Sequence, residues 1–402
     1  MYKVWRTAAF ILMSAGFPLT WAQGVPVTGI APIFSNDTSK NNINLDPSTR
    51  RLIDEKLATQ IKQWNILIKD LDQINPIVKS GFPEISSQIN VLNNSIDNAA
   101  SAKAWVNGKP PTPQKLEIVK EIVRWYSRPV WVVCNGETWF PEDASKDFSD
   151  IVKRIGNLNQ IANATGMVVT YDIPEMTRRG SHVGTAIAVA PNKILTNRHV
   201  IEESYIGYQD TLSREWKLIS SIRAKITFPH QYERCQAGTA TPITVNVIKI
   251  DAVHESLDLA ILTTDGKLPQ HLEFPAKADM VDGDRISVIG YPSRPGDSAT
   301  FLTPNQIDQV FQAPDLRSPF PAERIASGSV LFKEGSKEKG YFSYDATTWG
   351  GNSGSIVVSL VTGKILGLHS RGLQAKDQGA GYNEGVTADH VAPFVKTFAA
   401  VQ

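Results

Sequence analysis

The sequence has almost no excess charge of either sign and no motif that calls for a bound cofactor or metal. Its 41 Lys and Arg against 40 Asp and Glu leave a formal net charge of +1, which argues against binding nucleic acid or a polybasic attachment to membranes. We find no metal-spaced cluster of His and Cys and no glycine-rich nucleotide loop. With 42% hydrophobic and 20% charged residues, the composition excludes a disordered scaffold. The 402 residues exceed what one core usually serves, so we expect two or three domains.

Cysteine is also scarce, since Cys134 and Cys235 are the only two. If they pair, the disulfide closes a loop of 235 − 134 = 101 residues. Such a loop stabilises a fold by about 4 to 5 kcal/mol in the chain-entropy model. Two unpaired buried thiols are an equally good interpretation, and export from the cytoplasm is what would permit the disulfide.

Long apolar runs are absent after the first residues of the chain. The opening "MYKVWRTAAFILMSAGFPLTWAQG" has the basic Lys3 and Arg6, an apolar stretch, and the small Ala22 at a position suited to cleavage. We interpret residues 1–22 as a signal peptide and expect a secreted or periplasmic protein whose mature form is free of the membrane. A buried first helix and an uncleaved anchor are the alternatives, although the run is shorter than the ~20 residues that a membrane span needs.

Residues 23–165 are predicted to be mainly helical after a polar arm. Apolar residues recur at steps of three and four through "LIDEKLATQIKQWNILIKDL" and again over residues 85–99. Because a proline-marked turn separates these two stripes, we expect an antiparallel helix pair. Two more helical patterns follow, "QKLEIVKEIVRWY" and one that starts near Asp143. The stripes are typical of core packing, and the region contains no catalytic motif.

The pattern changes from Met167 onward. Short segments rich in Val, Ile and Thr alternate with Gly, Pro, Asn and Asp, which is typical of an all-β sandwich or a pair of barrels. The final "DHVAPFVKTFAA" predicts a closing helix. The expected architecture is α+β and multidomain: a signal peptide over 1–22, a helical prosegment or accessory domain over 23–165, and an all-β domain over 166–402.

Three polar residues of the β region supply the parts of a nucleophilic triad. His199 ends a strand in "KILTNRHVIEE", Asp258 enters one in "HESLDLAIL", and Ser353 lies in "TTWGGNSGS". A serine hydroxyl needs a base at neutral pH, and the imidazole needs a third group that fixes its tautomer and stabilises its charge. The order His, Asp, Ser excludes the α/β-hydrolase elbow. A zinc protease motif is excluded because "HESLD" lacks the second histidine of H-E-x-x-H.

This region resembles the chymotrypsin-fold serine proteases and, within them, the bacterial glutamyl endopeptidases. The resemblance covers roughly residues 167–402 and runs in order through "GTAIAVAPNKILTNRHV", "ESLDLAIL", "ISVIGYP", "YDATTWGGNSGS", "KILGLHSRG" and "NEGVTADHVAPFV". It implies a double-barrel, trypsin-like serine endopeptidase that cleaves protein or peptide substrates through an acyl-enzyme. His199 would be the general base and then acid, Asp258 its orienting partner, and Ser353 the nucleophile.

The same resemblance implies the remaining parts of the site. The backbone N–H groups of Gly351 and Ser353 would form an oxyanion hole, because Gly350 and Gly351 can take backbone angles closed to other residues. Asn352 stands where trypsin-type enzymes have the acidic residue that pairs with a newly cut amino terminus, so that activation switch is not expected.

Substrate recognition is also predicted from the resemblance. The predicted substrate-binding residues are Thr348, His369, Ser370, Arg371 and Gly372. In glutamyl endopeptidases a hydroxyl residue and a histidine at the positions of Thr348 and His369 bind an acidic side chain, which predicts a preference for Glu or Asp before the scissile bond. Arg371 departs from the pattern, as does Trp349.

Two questions stay open at the level of sequence. Residues 23–165 are one of two things. They are a prosegment that inhibits the protease within the same chain or assists its folding, removed near "GNLNQIANATGMVV" or at Arg178–Arg179, or they are a retained accessory domain that recruits a substrate or partner. The whole protein is either an active protease or a catalytically silent protease fold used for binding or host interaction.

Overall fold

The computed structural model describes most of the helical region and the greater part of the β region. The residues that it describes are 45, 47–73, 83–128, 130–134, 137–138, 149–172, 180–228, 242–293, 321–332, 339–373 and 382–399. The predicted signal peptide, Arg178–Arg179, Cys235 and the side chain of Cys134 lie outside this description, so the disulfide stays a prediction. Among the helices described, none is both long and apolar enough to cross a membrane.

Three helices come first, α1 (Pro47–Asp72), α2 (Pro83–Val106) and α3 (Leu116–Ser127). The start of α1 meets the end of α2, since Arg50 donates to the Val106 carbonyl at 2.6 Å and Lys103 pairs with Asp54 at 2.7 Å. The first two helices are therefore antiparallel, as the two stripes predict. Their apolar faces pack with α3 in a small core of their own, with buried members that include Ile53, Leu57, Trp64, Ala99, Ala102, Trp105 and Val119.

The elements after α3 are mostly strands. In chain order they are β1 (Val130–Cys134), β2 (Glu137–Thr138), α4 (Ser149–Asn163), β3 (Thr165–Asp172), β4 (Ser181–Ala190), β5 (Lys193–Thr196), α5 (Arg198–Glu203), β6 (Gly207–Gln209), β7 (Trp216–Leu218), β8 (Ile222–Phe228), β9 (Ile243–Val253), β10 (Ala260–Thr264), β11 (Arg285–Gly290), β12 (Arg324–Phe332), β13 (Tyr341–Tyr344), β14 (Ile356–Ser359), β15 (Ile365–Leu373), β16 (Tyr382–Thr387) and α6 (Ala388–Phe398).

Twelve of these strands close into two antiparallel barrels. The first barrel has the order β10-β5-β4-β3-β8-β9, and β9 pairs with β10 to close it. The second runs β11-β14-β15-β16-β13-β12, and the pairing of β11 with β12 closes six strands. One apolar core lies within the first barrel, and a larger core combines residues of the second barrel with Ile187, Leu195 and Ile261 of the first. Closure gives every strand of a barrel one inward face. The predicted double-barrel fold and the closing helix α6 are confirmed.

Part of the region that precedes residue 166 is built into the second barrel. Strand β1, which the sequence shows only as a short apolar stretch, extends that sheet by pairing antiparallel with β12, with Val130 opposite Ala326. Helix α4 buries Ile151, Leu158 and other apolar residues in the larger core, which contains most of the buried apolar residues of the second barrel. Contacts of β1 and α4 with the barrel strands therefore cross the predicted boundary between residues 165 and 166.

A buried ion pair reinforces this connection. Arg128, next to the end of α3, is fully buried and donates from Nε and Nη2 to the two carboxylate oxygens of Asp345 at 2.9 and 2.7 Å. Two residues further on, Thr347 donates its hydroxyl to the Arg128 carbonyl at 2.8 Å. Asp345 and Thr347 belong to the segment that leads to Ser353, so the end of the helical region contacts the segment that carries the predicted nucleophile.

Candidate active site

The two barrels bring the three predicted triad residues together. His199 lies in the short helix α5 immediately after β5, and Asp258 lies just before β10. Because β5 and β10 are paired, with Thr196 opposite Ala260, both residues emerge at the same end of the first barrel. Ser353 comes from the second barrel, in the loop between β13 and β14.

The geometry of the three side chains is that of a hydrogen-bonded relay. His199 Nε2 lies 2.7 Å from Ser353 Oγ, and His199 Nδ1 lies 2.8 Å from Asp258 Oδ2. The backbone N–H of His199 donates to Asp258 Oδ1 at 3.0 Å. With Nδ1–H donating to the carboxylate, the neutral imidazole presents Nε2 as an acceptor for the serine proton.

Further contacts hold Asp258 as an ionised, oriented acceptor. The Ser370 hydroxyl donates to Asp258 Oδ2 at 2.5 Å, and the backbone N–H of Asp258 donates to the Tyr341 hydroxyl oxygen at 3.1 Å. Its carbonyl accepts from the Asn197 side chain at 2.8 Å. Burial raises the pKa of Asp258. The hydrogen bonds from His199 and Ser370 and the charge of His199 lower this pKa by more than burial raises it, so that the net shift is downward from 3.8.

The electrostatics of His199 favour its charged form. Burial lowers the pKa of the imidazole, but the hydrogen bond and negative charge of Asp258 raise it by more, so that the net pKa lies above the ordinary 6.5. Glu202 and Glu203 add to the upward shift. The upward shift makes the imidazole a stronger base, which suits it to take a proton from a hydroxyl and return it to a leaving group.

The loop before Ser353 is shaped around Gly351. Gly351 has φ +89°, and a Cβ on it would come within 2.3 Å of His182 Cε1 and 2.6 Å of the Tyr291 carbonyl. The Gly350 carbonyl accepts from the N–H of Ser293 at 2.7 Å. In a planar trans peptide the N–H points opposite to the C=O, so the N–H of Gly351 points away from Ser293.

The same reasoning applies to the N–H of Ser353. The Asn352 carbonyl accepts from the N–H of Ser355 at 2.8 Å, which turns the N–H of Ser353 the opposite way. Within the described part of the chain, neither Gly351 nor Ser353 donates its N–H to another backbone carbonyl. Both donors are therefore available for an oxygen atom of a ligand.

His182, which sequence reasoning did not single out, contacts Ser293, the residue that binds the Gly350 carbonyl of this loop. One ring nitrogen, Nε2, lies 3.2 Å from the Gly184 carbonyl, and the other, Nδ1, lies 2.8 Å from the Ser293 hydroxyl. Ser293 in turn holds the Gly350 carbonyl. No local motif marks His182, because its contacts follow from the position of β4 beside the loop that carries Ser353.

Comparison with known proteins agrees with this geometry. Residues 184–368 match the family model described as a trypsin-like peptidase domain, a range that includes His199, Asp258 and Ser353. Residues 184–368 therefore form a trypsin-like peptidase domain. The chain is also 24% identical over 259 residues to a probable serine protease of Lysobacter enzymogenes. That match covers 58% of this chain and 63% of the relative, so the chain spans less than two thirds of the relative's length.

Two solved structures are distant likenesses of the chain. One is a Glu endopeptidase in complex with MPD, 20% identical, which covers 60% of this chain and 92% of its own with a TM-score of 0.39. The other is Deg5, 15% identical, with coverage of 61% and 94% and a TM-score of 0.40. The assignment of the fold rests on the strand pairings of the two barrels.

The predicted substrate-binding residues of the peptidase domain occupy different surroundings. Thr348 and His369 are both buried, whereas Arg371 and Gly372 are exposed beside them on β15. The Ser370 side chain is directed to Asp258 and supports the triad. Arg371 Nε donates to the buried Glu384 at 2.8 Å and its guanidinium lies over the Tyr341 ring.

Two residues absent from the sequence-based predictions complete these surroundings. Tyr344 contacts His369 Nδ1 through its hydroxyl, and Asn383 accepts the Thr348 hydroxyl at 2.7 Å. Tyr344 and Asn383 lie opposite one another on β13 and β16. Burial lowers the pKa of His369 to about 3, and the nearby His199 acts in the same direction, so the ring is neutral at physiological pH.

Proposed function

We propose that the chain is a serine endopeptidase that hydrolyses peptide bonds through an acyl-enzyme on Ser353. The observation that carries this proposal is the continuous relay Ser353–His199–Asp258, with atoms 2.7 and 2.8 Å apart. In the first half-reaction, Ser353 Oγ bonds to the scissile carbonyl carbon while His199 Nε2 takes its proton. His199 then gives this proton to the leaving amine as the C–N bond breaks.

The second half-reaction repeats these roles with water. His199 takes a proton from a water molecule, whose oxygen attacks the acyl carbon, and then returns the proton to Ser353 Oγ as the ester bond breaks. The N–H groups of Gly351 and Ser353 are proposed to stabilise the oxyanion of both tetrahedral intermediates. Each such donor typically contributes about 3 kcal/mol of transition-state stabilisation.

Labelling of the purified full-length protein with a fluorophosphonate probe tests this proposal. We expect covalent labelling that is lost in Ser353→Ala and His199→Ala and retained in Ser221→Ala, where the substituted serine is exposed and directly precedes β8. Labelling of both active-site variants would contradict the assigned roles. Absence of labelling both in the unsubstituted protein and after loss of residues 23–127 would favour the alternative, a silent protease fold that only binds.

The sequence predicts a preference for Glu or Asp before the scissile bond, and we propose the broader class that contains it, side chains that end in a carboxyl or carboxamide group. Its support is positional: Thr348 is five residues before the proposed nucleophile, and His369 directly precedes Ser370, which contacts Asp258. The side chains of Glu and Asp and those of their amides, Gln and Asn, all end in an oxygen atom that can accept a hydrogen bond from His369.

We also propose export by residues 1–22, which would give a secreted or periplasmic enzyme, on the strength of the basic and apolar pattern of that segment. For the helical region, we propose that residues from Arg128 onward stay with the barrels in the active enzyme. The pairing of β1 with β12 and the buried Arg128–Asp345 pair support retention. A processed or inhibitory prosegment would then end before residue 128.

The mass and the amino-terminal sequence of the active, probe-labelled protein test this division. A start between residues 23 and 127 agrees with it. A mature protein that lacks residues 128–163 altogether, yet is still labelled, would contradict it. An increase in labelling after loss of residues 23–127 would support inhibition by the helical segment.

A further inference from the structure

We propose that His369 and Thr348 line a substrate pocket that recognises a side-chain carboxamide, so that Gln or Asn precedes the scissile bond, and that Tyr344 and Asn383 determine this choice. The inference rests on the proposed endopeptidase function and sharpens its substrate. It selects the neutral amide over the acid that the sequence predicts. The argument depends on which hydrogen-bonding groups His369 and Thr348 still have available.

Tyr344 fixes the proton of His369. Its hydroxyl contacts His369 Nδ1, and both residues are buried. Among the described residues the Tyr344 hydroxyl has no second partner, so it donates to Nδ1; the opposite arrangement would leave a buried O–H unsatisfied. Burial and the Glu384 carboxylate raise the pKa of Tyr344 well above 10.0, which keeps the hydroxyl protonated. The neutral His369 then carries its single proton on Nε2 and offers a donor.

Asn383 fixes the proton of Thr348. The Asn383 amide nitrogen donates to the Ala346 carbonyl at 2.6 Å, which determines the orientation of the amide. Its oxygen therefore faces Thr348, and the Thr348 hydroxyl must donate to it across 2.7 Å. A hydroxyl has one proton, so Thr348 can offer only its lone pairs to a substrate. Gly372 lies close to this point, because a Cβ on it would lie 3.3 Å from the Asn383 amide oxygen.

The pocket thus combines one donor, His369 Nε2–H, with one acceptor, Thr348 Oγ1. A carboxamide matches this pair, because its oxygen accepts from His369 while its NH₂ group donates to Thr348. A carboxylate has acceptors only, and one of its oxygens would face the lone pairs of Thr348. A buried group that loses its partner in this way is costly, which is the physical source of the discrimination.

The charges around the pocket give the same result. Asp258 and Glu384 are the carboxylates near His369 and Tyr344, and the Arg371 guanidinium is engaged by Glu384 at 2.8 Å. Asp258 balances a positive charge on His199, and His369 is neutral as argued above. Among the described residues named here, no cation without a carboxylate partner compensates a buried carboxylate from the substrate, and an uncompensated buried charge is strongly unfavourable.

Cleavage of matched peptides by the full-length protein tests the proposal. The peptides are identical except for Gln, Glu, Asn or Asp before the scissile bond, and kcat/KM is measured for each at pH 8. We expect at least one amide to exceed its own acid by about tenfold or more, the ratio that corresponds to about 1.4 kcal/mol of differential binding. Acids cleaved as well as or better than their amides would overturn the proposal.

Substitutions in the pocket show whether the named residues carry the preference. Thr348→Val removes the acceptor and is expected to reduce the amide-to-acid ratio, whereas Thr348→Ser keeps it. Tyr344→Phe releases the proton of His369 and should lower the same ratio, while Tyr208→Phe, at a half-exposed tyrosine of β6, should not. Because general damage to the fold lowers all the rates in proportion, only a specific role changes the ratio. An unchanged ratio in Thr348→Val would overturn the assignment of the acceptor.

A separate measurement distinguishes failure of the pocket from failure of the enzyme. Peptides that end in Gln or Glu are titrated by calorimetry into the Ser353→Ala variant, which does not require catalysis. Tighter binding of the Gln peptide supports the pocket even if the protein neither cleaves peptides nor takes up the fluorophosphonate probe. Equal or tighter binding of the Glu peptide contradicts the pocket, whatever the catalytic result.

Discussion

Substitution of Arg128 by Leu tests whether the end of the helical region is part of the peptidase fold. Arg128 has no exposed side-chain surface, and the Asp345 side chain is 6% exposed. Arg128→Leu removes two charge-assisted hydrogen bonds of 2.9 and 2.7 Å. It leaves the Asp345 carboxylate buried, with the N–H of Ser329 at 2.7 Å as a remaining donor. Breaking one partner of a buried pair costs about 3 to 5 kcal/mol.

The expected loss is measured by thermal unfolding. A change of about 1 kcal/mol shifts the Tm by about 2 to 4 °C for domains of 150 to 250 residues, so Arg128→Leu should lower the Tm by about 10 °C. Arg128→Lys keeps the charge but loses the two-pronged geometry, and we expect an intermediate result. The double variant Arg128→Leu/Asp345→Leu leaves no unpaired charge and should be less damaged than the single one.

The matched control is Arg51→Leu, which removes an exposed ion pair with Glu55 at 3.1 Å. Exposed pairs of this kind contribute at most about 1 kcal/mol, so the Tm should hardly move. The reasoning is refuted if Arg128→Leu shifts the Tm no more than Arg51→Leu does. It is also refuted if the double variant is as unstable as the sum of the two single variants, because the two charges would then not be coupled.

Three further predictions concern the relay and its loop. Asp258→Asn should lower kcat by about 10⁴-fold because it stabilises the wrong tautomer of His199, and unchanged circular dichroism with unchanged activity would contradict this. Protonated His199 cannot accept the serine proton, and its pKa is raised, so kcat/KM should fall as the pH drops through that raised pKa. In Asp258→Asn this acidic limb of the pH profile should move to lower pH, because the carboxylate that raises the pKa of His199 is gone. Gly351→Ala forces a Cβ against His182 and the Tyr291 carbonyl at φ +89°. It should reduce probe labelling by more than Gly350→Ala, where a Cβ meets nothing within 4 Å. Equal effects of the two substitutions would refute the role of this turn.

The sequence by itself determined much of the fold because the local patterns are strong. The three- and four-residue steps of α1 and α2 and the short β-rich segments after residue 166 depend only on neighbouring residues. The predicted triad was accessible for a similar reason, since each member lies in a short stretch with its own chemical pattern. The antiparallel helix pair follows from these signals, whereas they left a sandwich and a pair of barrels open, and the resemblance to chymotrypsin-fold proteases favoured the double barrel.

What only the tertiary structure decided is the contacts between segments that are far apart in the chain. Nothing near Arg128 indicates that its partner is Asp345, 217 residues away, and "VWVVC" alone does not show that β1 extends the second barrel. The register of β13 against β16 places Tyr344 opposite Asn383, and these two residues then determine which protons His369 and Thr348 can offer. A residue type specifies which groups can donate or accept, but the direction of a hydrogen bond depends on the partner that folding brings beside it.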